Sequence, residues 1–256
     1  MKQLKYTFAY PHNELLSVPF HESIVAMLFH ELAEKPREEC NLGSMMEAGS
    51  CHVPFNRNTL CGTFLDKFTD DYIVMIDTDV QFPANVLTAL NSHIYILGEI
   101  FPVWDRKYFP HIIAGRVDIG NGMPVFYKRM GLGEYKHDPR PFNGLKHFDA
   151  IGTGIVAISR WCLQTILNET RSYHFFNHLA EAGKLMSDDF SFCYLAREHG
   201  FLPYGAWDIK GIHAKRMFIK SSYYESLDEY EKFKREHPSD IPEWLKDEGF
   251  IISDKG

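Results

Sequence analysis

The stretch that most constrains this chain is Tyr72-Ile73-Val74-Met75-Ile76-Asp77-Thr78-Asp79, which follows directly on the acidic pair Asp70-Asp71. Five β-favouring, mostly apolar residues without alternation predict a strand buried on both faces, the pattern of a parallel sheet covered by helices. The strand runs into two acids separated by one residue. Side chains alternate along a strand, so continued strand geometry would turn Asp77 and Asp79 to the same side and Thr78 to the other. Two carboxylates at one spot suit a hard divalent cation. Acids at strand ends also occur without any ligand, so the surrounding pattern matters. Pro83 opens a segment with Val86, Leu87 and Leu90 at helical spacing, which makes a strand, an acidic edge and a helix. In open α/β sheets, ligands sit at the carboxyl ends of strands, where these acids fall.

The rest of the first ninety residues supports an α/β reading. Residues 4–10 predict a strand stopping at Pro11, residues 21–33 a helix through Ile24, Val25, Leu28, Phe29 and Leu32, and residues 42–48 a second strand. A helix over residues 56–68 is expected, with Asn56 as its cap. Arg57, at its start, reads by itself as a solvated charge. The order strand, helix, strand, helix, strand outlines a parallel nucleotide-binding arrangement. Further strands are expected over residues 94–100, 111–117 and 124–128. The stretch 129–148, with Gly131, Gly133, Pro139, Pro141 and Gly144, predicts a long loop.

Ile151-Gly152-Thr153-Gly154 leads into a strand over 155–158 and a helix over 159–167. Its glycines allow either close approach of a ligand or a tight turn. They precede a strand and lack the Gly-Lys-Ser/Thr ending, so this is not a phosphate-binding P-loop. Ser187-Asp188-Asp189 precedes Phe190, Cys193, Tyr194 and Ala196 at helical spacing. Here the residues serve either as a cap complementing the helix dipole or as a carboxylate base aimed from a cleft rim. A last strand over 204–209 is followed by His213, a residue type that is usually structural yet is also a common metal ligand. Residues 221–237, with Tyr223, Leu227, Tyr230 and Phe233 among charges, predict an amphipathic packing helix rather than a membrane anchor.

With 256 residues, 45% of them hydrophobic, the chain can bury one large core. The expected division is a catalytic domain over 1–220 and a helical tail over 221–256. A net charge of -7 gives no general attraction to nucleic acid, which is not expected as a partner. Five cysteines, an odd number without metal-type spacing, argue against a complete disulfide framework and for a reducing, cytoplasmic location. The opening residues are too weakly apolar for a secretory signal, and no run reaches the roughly 18 apolar residues of a membrane span.

Taken in order, these segments resemble the GT-A type nucleotide-sugar glycosyltransferases from the first strand to His213. The resemblance rests on the apolar strand into Asp77-Thr78-Asp79, the Arg57-Asn58 pair before it, Gly152-Thr153-Gly154 before a strand, the Ser187-Asp188-Asp189 helix start and the late His213. It implies a GT-A-like (Rossmann-like) mixed sheet flanked by helices. It also implies a nucleotide-sugar donor held through Mn²⁺ or Mg²⁺ by Asp77 and Asp79, with His213 as a further ligand. Pro11 would meet the nucleobase and Arg57 would approach the base or phosphates, with Gly152, Thr153 and Gly154 beside the donor. Asp189 matches the family's catalytic base better than Asp188, which stands where such enzymes often carry Glu. The reaction expected is inverting transfer of a sugar to the hydroxyl of a glycan or other acceptor. Two alternatives compete. Haloacid-dehalogenase phosphohydrolases share the acid-x-acid, but they need Thr or Val where this chain has Gln81. A non-catalytic nucleotide-sugar or glycan-binding module would bind without turnover.

Overall fold

A computed structural model describes residues 3–12, 16–50, 52–101, 105–118, 124–132, 134–181 and 183–213. All of these fall within one compact unit, Met1–Ala214. The expected tail over 221–256 lies outside the described residues. The chain begins with β1 (Tyr6–His12), α1 (Val18–Phe29), β2 (Leu42–Gly49), α2 (Val53–Lys67) and β3 (Tyr72–Ile76). β1 pairs in parallel with both β2 and β3, so β1 lies between them and the chain must cross in opposite directions to reach each. Right-handed crossovers then place α1 and α2 on opposite faces. The crevice at the carboxyl ends of β1 and β3 is the switch point of that topology.

β4 (Val80–Gln81) and α3 (Val86–Ile100) follow, then β5 (Ile112–Asp118), β6 (Phe126–Gly131), β7 (Glu134–His137), β8 (Leu145–His147), β9 (Ala150–Ile151) and β10 (Ile155–Ser159). α4 (Arg160–Thr170), the hairpin β11 (Leu179–Glu181) and β12 (Lys184–Met186), α5 (Asp188–Glu198) and β13 (Pro203–His213) complete the described chain. The main sheet runs β2-β1-β3-β10-β5-β13-β4, with β8 on β13. It is mixed: β10 is antiparallel to β3 and β5, while β13 is parallel to β5 and antiparallel to β4.

β3 is buried along its whole length, and its alternation divides the core in two. Ile73 and Met75 face Leu60 and Phe64 of α2, Leu163 of α4 and Phe192 of α5. Tyr72, Val74 and Ile76 face Phe20 and Met27 of α1 and Leu87 and Leu90 of α3. Helix starts are set by side chains. Ser17, Ser159 and Ser187 accept from the backbone N–H groups of Phe20, Cys162 and Phe190, each three residues on.

Four local expectations are corrected. His52, not Asn56, caps α2, accepting from Phe55 N at 3.3 Å, with a proline in the first turn. The helix therefore begins earlier and Asn56 lies inside it. Residues 94–100 continue α3 instead of forming a strand, since Leu90, Ile94 and Leu97 extend the helical spacing begun at Val86. The stretch 129–148 is not one loop: β7 returns on β6 and β8 pairs with β13. The helix over 21–33 begins at Val18 and ends at Phe29, passing into a π-helical turn, His30–Glu34, that carries Glu31 into the interior.

Candidate active site

Arg57 is the centre of the site. α2 packs against β1 and β2 beneath the sheet's carboxyl-end crevice, and the asparagines flanking Arg57 pin that end of the helix to loops on either side. Asn56 Nδ2 donates to the carbonyls of His12 and Ser50, both at 3.1 Å. Asn58 Nδ2 donates to Phe176 O and its Oδ1 accepts from Phe176 N, both at 2.8 Å. Held in this way, the Arg57 guanidinium lies over the Phe176 ring, 5.7 Å from its centroid, with only 5% of the side chain exposed. The solvated charge expected from the sequence is a buried one.

Its donors reach three carboxylates from distant parts of the chain. Nη1 donates to Asp188 Oδ2 at 2.5 Å and to Asp189 Oδ1 at 2.7 Å. Nη2 donates to Asp77 Oδ1 at 2.9 Å and Oδ2 at 3.1 Å. Both Nη atoms are thus engaged by carboxylates, Nη1 by two residues and Nη2 by the two oxygens of one. Nε is buried without a hydrogen-bond partner. Burial alone would lower the Arg57 pKa, but the charges of Asp77, Asp189 and Asp188 outweigh it and drive the pKa well above the ordinary value. Burial raises the Asp77 pKa, Arg57 opposes the rise, and the charges of Asp189 and Asp79 add to it.

The two acids of the triplet part company. β3 stops at Ile76, and a turn closed by Val80 N donating to Asp77 O at 3.0 Å replaces continued strand geometry. Ser17 steadies the turn from outside, donating to Thr78 O from both its backbone N and its hydroxyl. Asp77 turns to Arg57. Asp79 turns to His213, whose Nδ1 lies 3.3 Å from Asp79 Oδ2. The cause is sheet pairing, because β13 sets His213 opposite Val80, the residue after Asp79. No cluster of three or more His, Cys, Asp or Glu ligands occurs among the described residues. The protein's donors beside the turn are the Asp79–His213 pair, while both Asp77 oxygens are engaged by Arg57.

The Gly152-Thr153-Gly154 segment is packed inward. A Cβ on Gly152 would lie 2.7 Å from Val125 Cβ, and one on Gly154 would lie 3.3 Å from Val117 Cγ2. Close approach to protein side chains therefore accounts for both glycines. Gly154 O accepts from Asp77 N at 3.1 Å, and Thr153, 1% exposed, donates its hydroxyl to Asp189 Oδ1. Ser187 caps α5, leaving Asp188 and Asp189 in its first turn, so the capping and carboxylate roles fall to different residues. Phe190, next to Asp189, meets Tyr127 and Tyr135 of β6 and β7 at centroid distances of 4.6 and 4.7 Å. Pro11 lies buried near the end of β1, opposite Ala48 of β2, and Tyr10 donates to Glu47 Oε2 at 2.6 Å beside it. The roles of Asn56, Phe176 and Tyr127 carry no local sequence signal, since their partners lie far along the chain.

No protein-family model and no curated protein matches the chain. Solved structures do. The chain is similar to A197 from STIV, with 14% identity and a TM-score of 0.53 over 83% of this chain and 87% of that one. It is also similar to GalNAc-T7, solved with UDP, GalNAc and Mn²⁺, with 10% identity and a TM-score of 0.55 over 95% of this chain. The match covers 54% of the GalNAc-T7 chain, so this chain spans about half its length. At such identities the likeness shows the fold. The protein has a GT-A-like mixed α/β fold, a large central sheet flanked by helices.

Proposed function

We propose that the protein is a metal-dependent glycosyltransferase that moves a sugar from a nucleotide-sugar donor to an acceptor hydroxyl with inversion. The observation that carries this reading is the gathering of Asp77, Asp188 and Asp189 on one buried guanidinium, beside the Asp79–His213 pair. Among the described residues, four carboxylates and one guanidinium leave an excess of negative charge at a strand-end crevice, a setting that favours a divalent cation.

Asp79 and His213 fit Mn²⁺ or Mg²⁺. Two protein donors are few for a closed structural site, but such ions are commonly held by one or two carboxylates, with substrate phosphates and water completing the shell. When bound, the cation would neutralise the charge that grows on the departing diphosphate. Asp77 acts through Arg57, keeping the guanidinium between the two halves of the site. Asp189 is the general base, taking the proton of the acceptor hydroxyl as its oxygen attacks the anomeric carbon. Asp188 shares Nη1 of Arg57 and balances its charge. Pro11 and the end of β1 border the donor's base, and the Gly152–Gly154 segment backs the donor site through Asp77. The acceptor is a glycan or another hydroxyl compound, placed beside Tyr127 and Phe190. Among the described residues Cys40, Cys61, Cys162 and Cys193 are free and buried, which supports the cytoplasmic location expected from the sequence. Among the described residues no helix is long and apolar enough to cross a membrane.

The test is incubation with a panel of nucleotide-sugars, Mn²⁺ and simple glycoside acceptors, following nucleoside diphosphate release and the anomeric configuration of the product by NMR. Release with inverted configuration is expected. A retained configuration would contradict the base assignment. Binding with no turnover on any acceptor would favour the binding-module alternative, and phosphate release without nucleotide-sugar dependence the phosphohydrolase.

A further inference from the structure

Two residues that the sequence offers as donor contacts are oriented toward a different task. Both Arg57 Nη atoms are engaged by carboxylates, the side chain is only 5% exposed, and its Nε is buried. Thr153 is 1% exposed, too enclosed to touch a donor, and its hydroxyl bonds to Asp189. Both converge on one atom. Arg57 Nη1 and Thr153 Oγ1 donate to Asp189 Oδ1, while among the described residues Oδ2 takes no hydrogen bond. A carboxylate fixed through one oxygen by a charged and a neutral donor presents the other in a single direction, and a quarter of the Asp189 side chain reaches solvent.

We propose that Arg57 and Thr153 are positioning residues for the base: they lock Asp189 through Oδ1 so that Oδ2 is the oxygen that takes the acceptor proton. The packing of Gly152 and Gly154 against Val125 and Val117 belongs to the same device, since it seats Thr153 beneath α5. Neither residue touches donor or acceptor. This rests on the glycosyltransferase reading, and it separates base geometry from donor binding within that reading.

The experiment uses the full chain and the nucleotide-sugar of the panel that stabilises it most, with nucleoside diphosphate release as the rate. Thr153→Val keeps size and shape but removes the donor. It is expected to lower kcat about tenfold with donor KM unchanged, and Thr153→Ser is expected to restore the rate. In an Asp189→Asn background, Thr153→Val should cost nothing further, because residues acting through one group are not additive. Arg57→Lys, which keeps the charge but loses the two-pronged geometry, should follow Thr153→Val in lowering kcat rather than raising donor KM. A wild-type kcat in Thr153→Val, a further loss on Asp189→Asn, or a rise confined to donor KM would overturn the positioning role while leaving the transferase reading intact. Absence of turnover in the natural protein with every donor would overturn both.

Discussion

Two of the places where the described residues bury charge are built differently. In the π-helical turn after α1, Glu31 is fully buried and accepts from Lys35 Nζ at 3.1 and 3.0 Å, from Asn41 N at 2.6 Å and from Thr88 Oγ1 at 3.3 Å. Lys35 also donates to Asn41 Oδ1 at 2.7 Å. One cation meets one anion, and neutral groups fill the remaining positions, which is how a buried ion pair is made tolerable. At the sheet's carboxyl ends, Arg57 meets three carboxylates and carries an unpartnered Nε, so that among these residues negative charge is in excess. The first arrangement is complete in itself. The second has room in its charge balance for a cation or a proton, which is why we read it as the site of chemistry.

Four predictions sharpen that contrast. The largest effect is expected from Asp189→Asn, which should lower turnover about 10²- to 10⁴-fold while nucleotide-sugar binding, followed by thermal shift, persists. Stability comes next. Arg57→Met strands three acids and Glu31→Gln strands Lys35, so urea unfolding should show each variant less stable by about 3–5 kcal/mol. The reverse change at the unbalanced site should differ. Asp188→Asn removes one of several competing acids, and its cost should stay within about 1 kcal/mol or turn into a gain. A large loss there would erase the distinction between the two networks.

The smallest effect is a pH dependence. The Asp77 pKa is raised by burial, then by neighbouring carboxylates, against Arg57. A carboxyl whose folded value exceeds its ordinary 3.8 binds its proton more tightly when folded. Its contribution is thus fully present below that value and is lost as pH rises through the folded one. The stability of Asp77→Asn relative to the natural protein should therefore improve as pH is raised out of the acid range, measured by denaturation at stepped pH. An opposite slope would mean that Arg57 dominates Asp77 more than burial does.

Much of this was legible in the residues. An unbroken apolar run has one explanation in a sheet covered on both faces, and β3 shows it, with helices on each side. Capping serines before apolar spacing located α5 and the acids in its first turn. What stayed hidden depends on pairing between distant segments. Arg57 and Asp188 are 131 positions apart, and no local pattern distinguishes a guanidinium that will be buried from one that will be solvated. Parallel orientation of Asp77 and Asp79 failed as an expectation because the chain turns after Ile76, a change that Thr78 does not announce. Residues 94–100 show the known ambiguity of short apolar runs, resolved here by the helix already under way. At the glycines flanking Thr153 the backbone is closely approached, and what approaches is Val125 and Val117.

We propose that the crevice beside Asp79 and His213 takes a nucleotide-sugar with a divalent cation. The most direct measurement is thermal unfolding with a panel of nucleotide-sugars and nucleoside diphosphates, in Mn²⁺ or in chelator, for the natural protein and Asp79→Asn. At about 100 times its dissociation constant a true donor should stabilise by roughly 2.7 kcal/mol, in Mn²⁺ only, and the gain should vanish in Asp79→Asn. Stabilisation by no nucleotide, or by one that ignores both the metal and Asp79, would contradict the account.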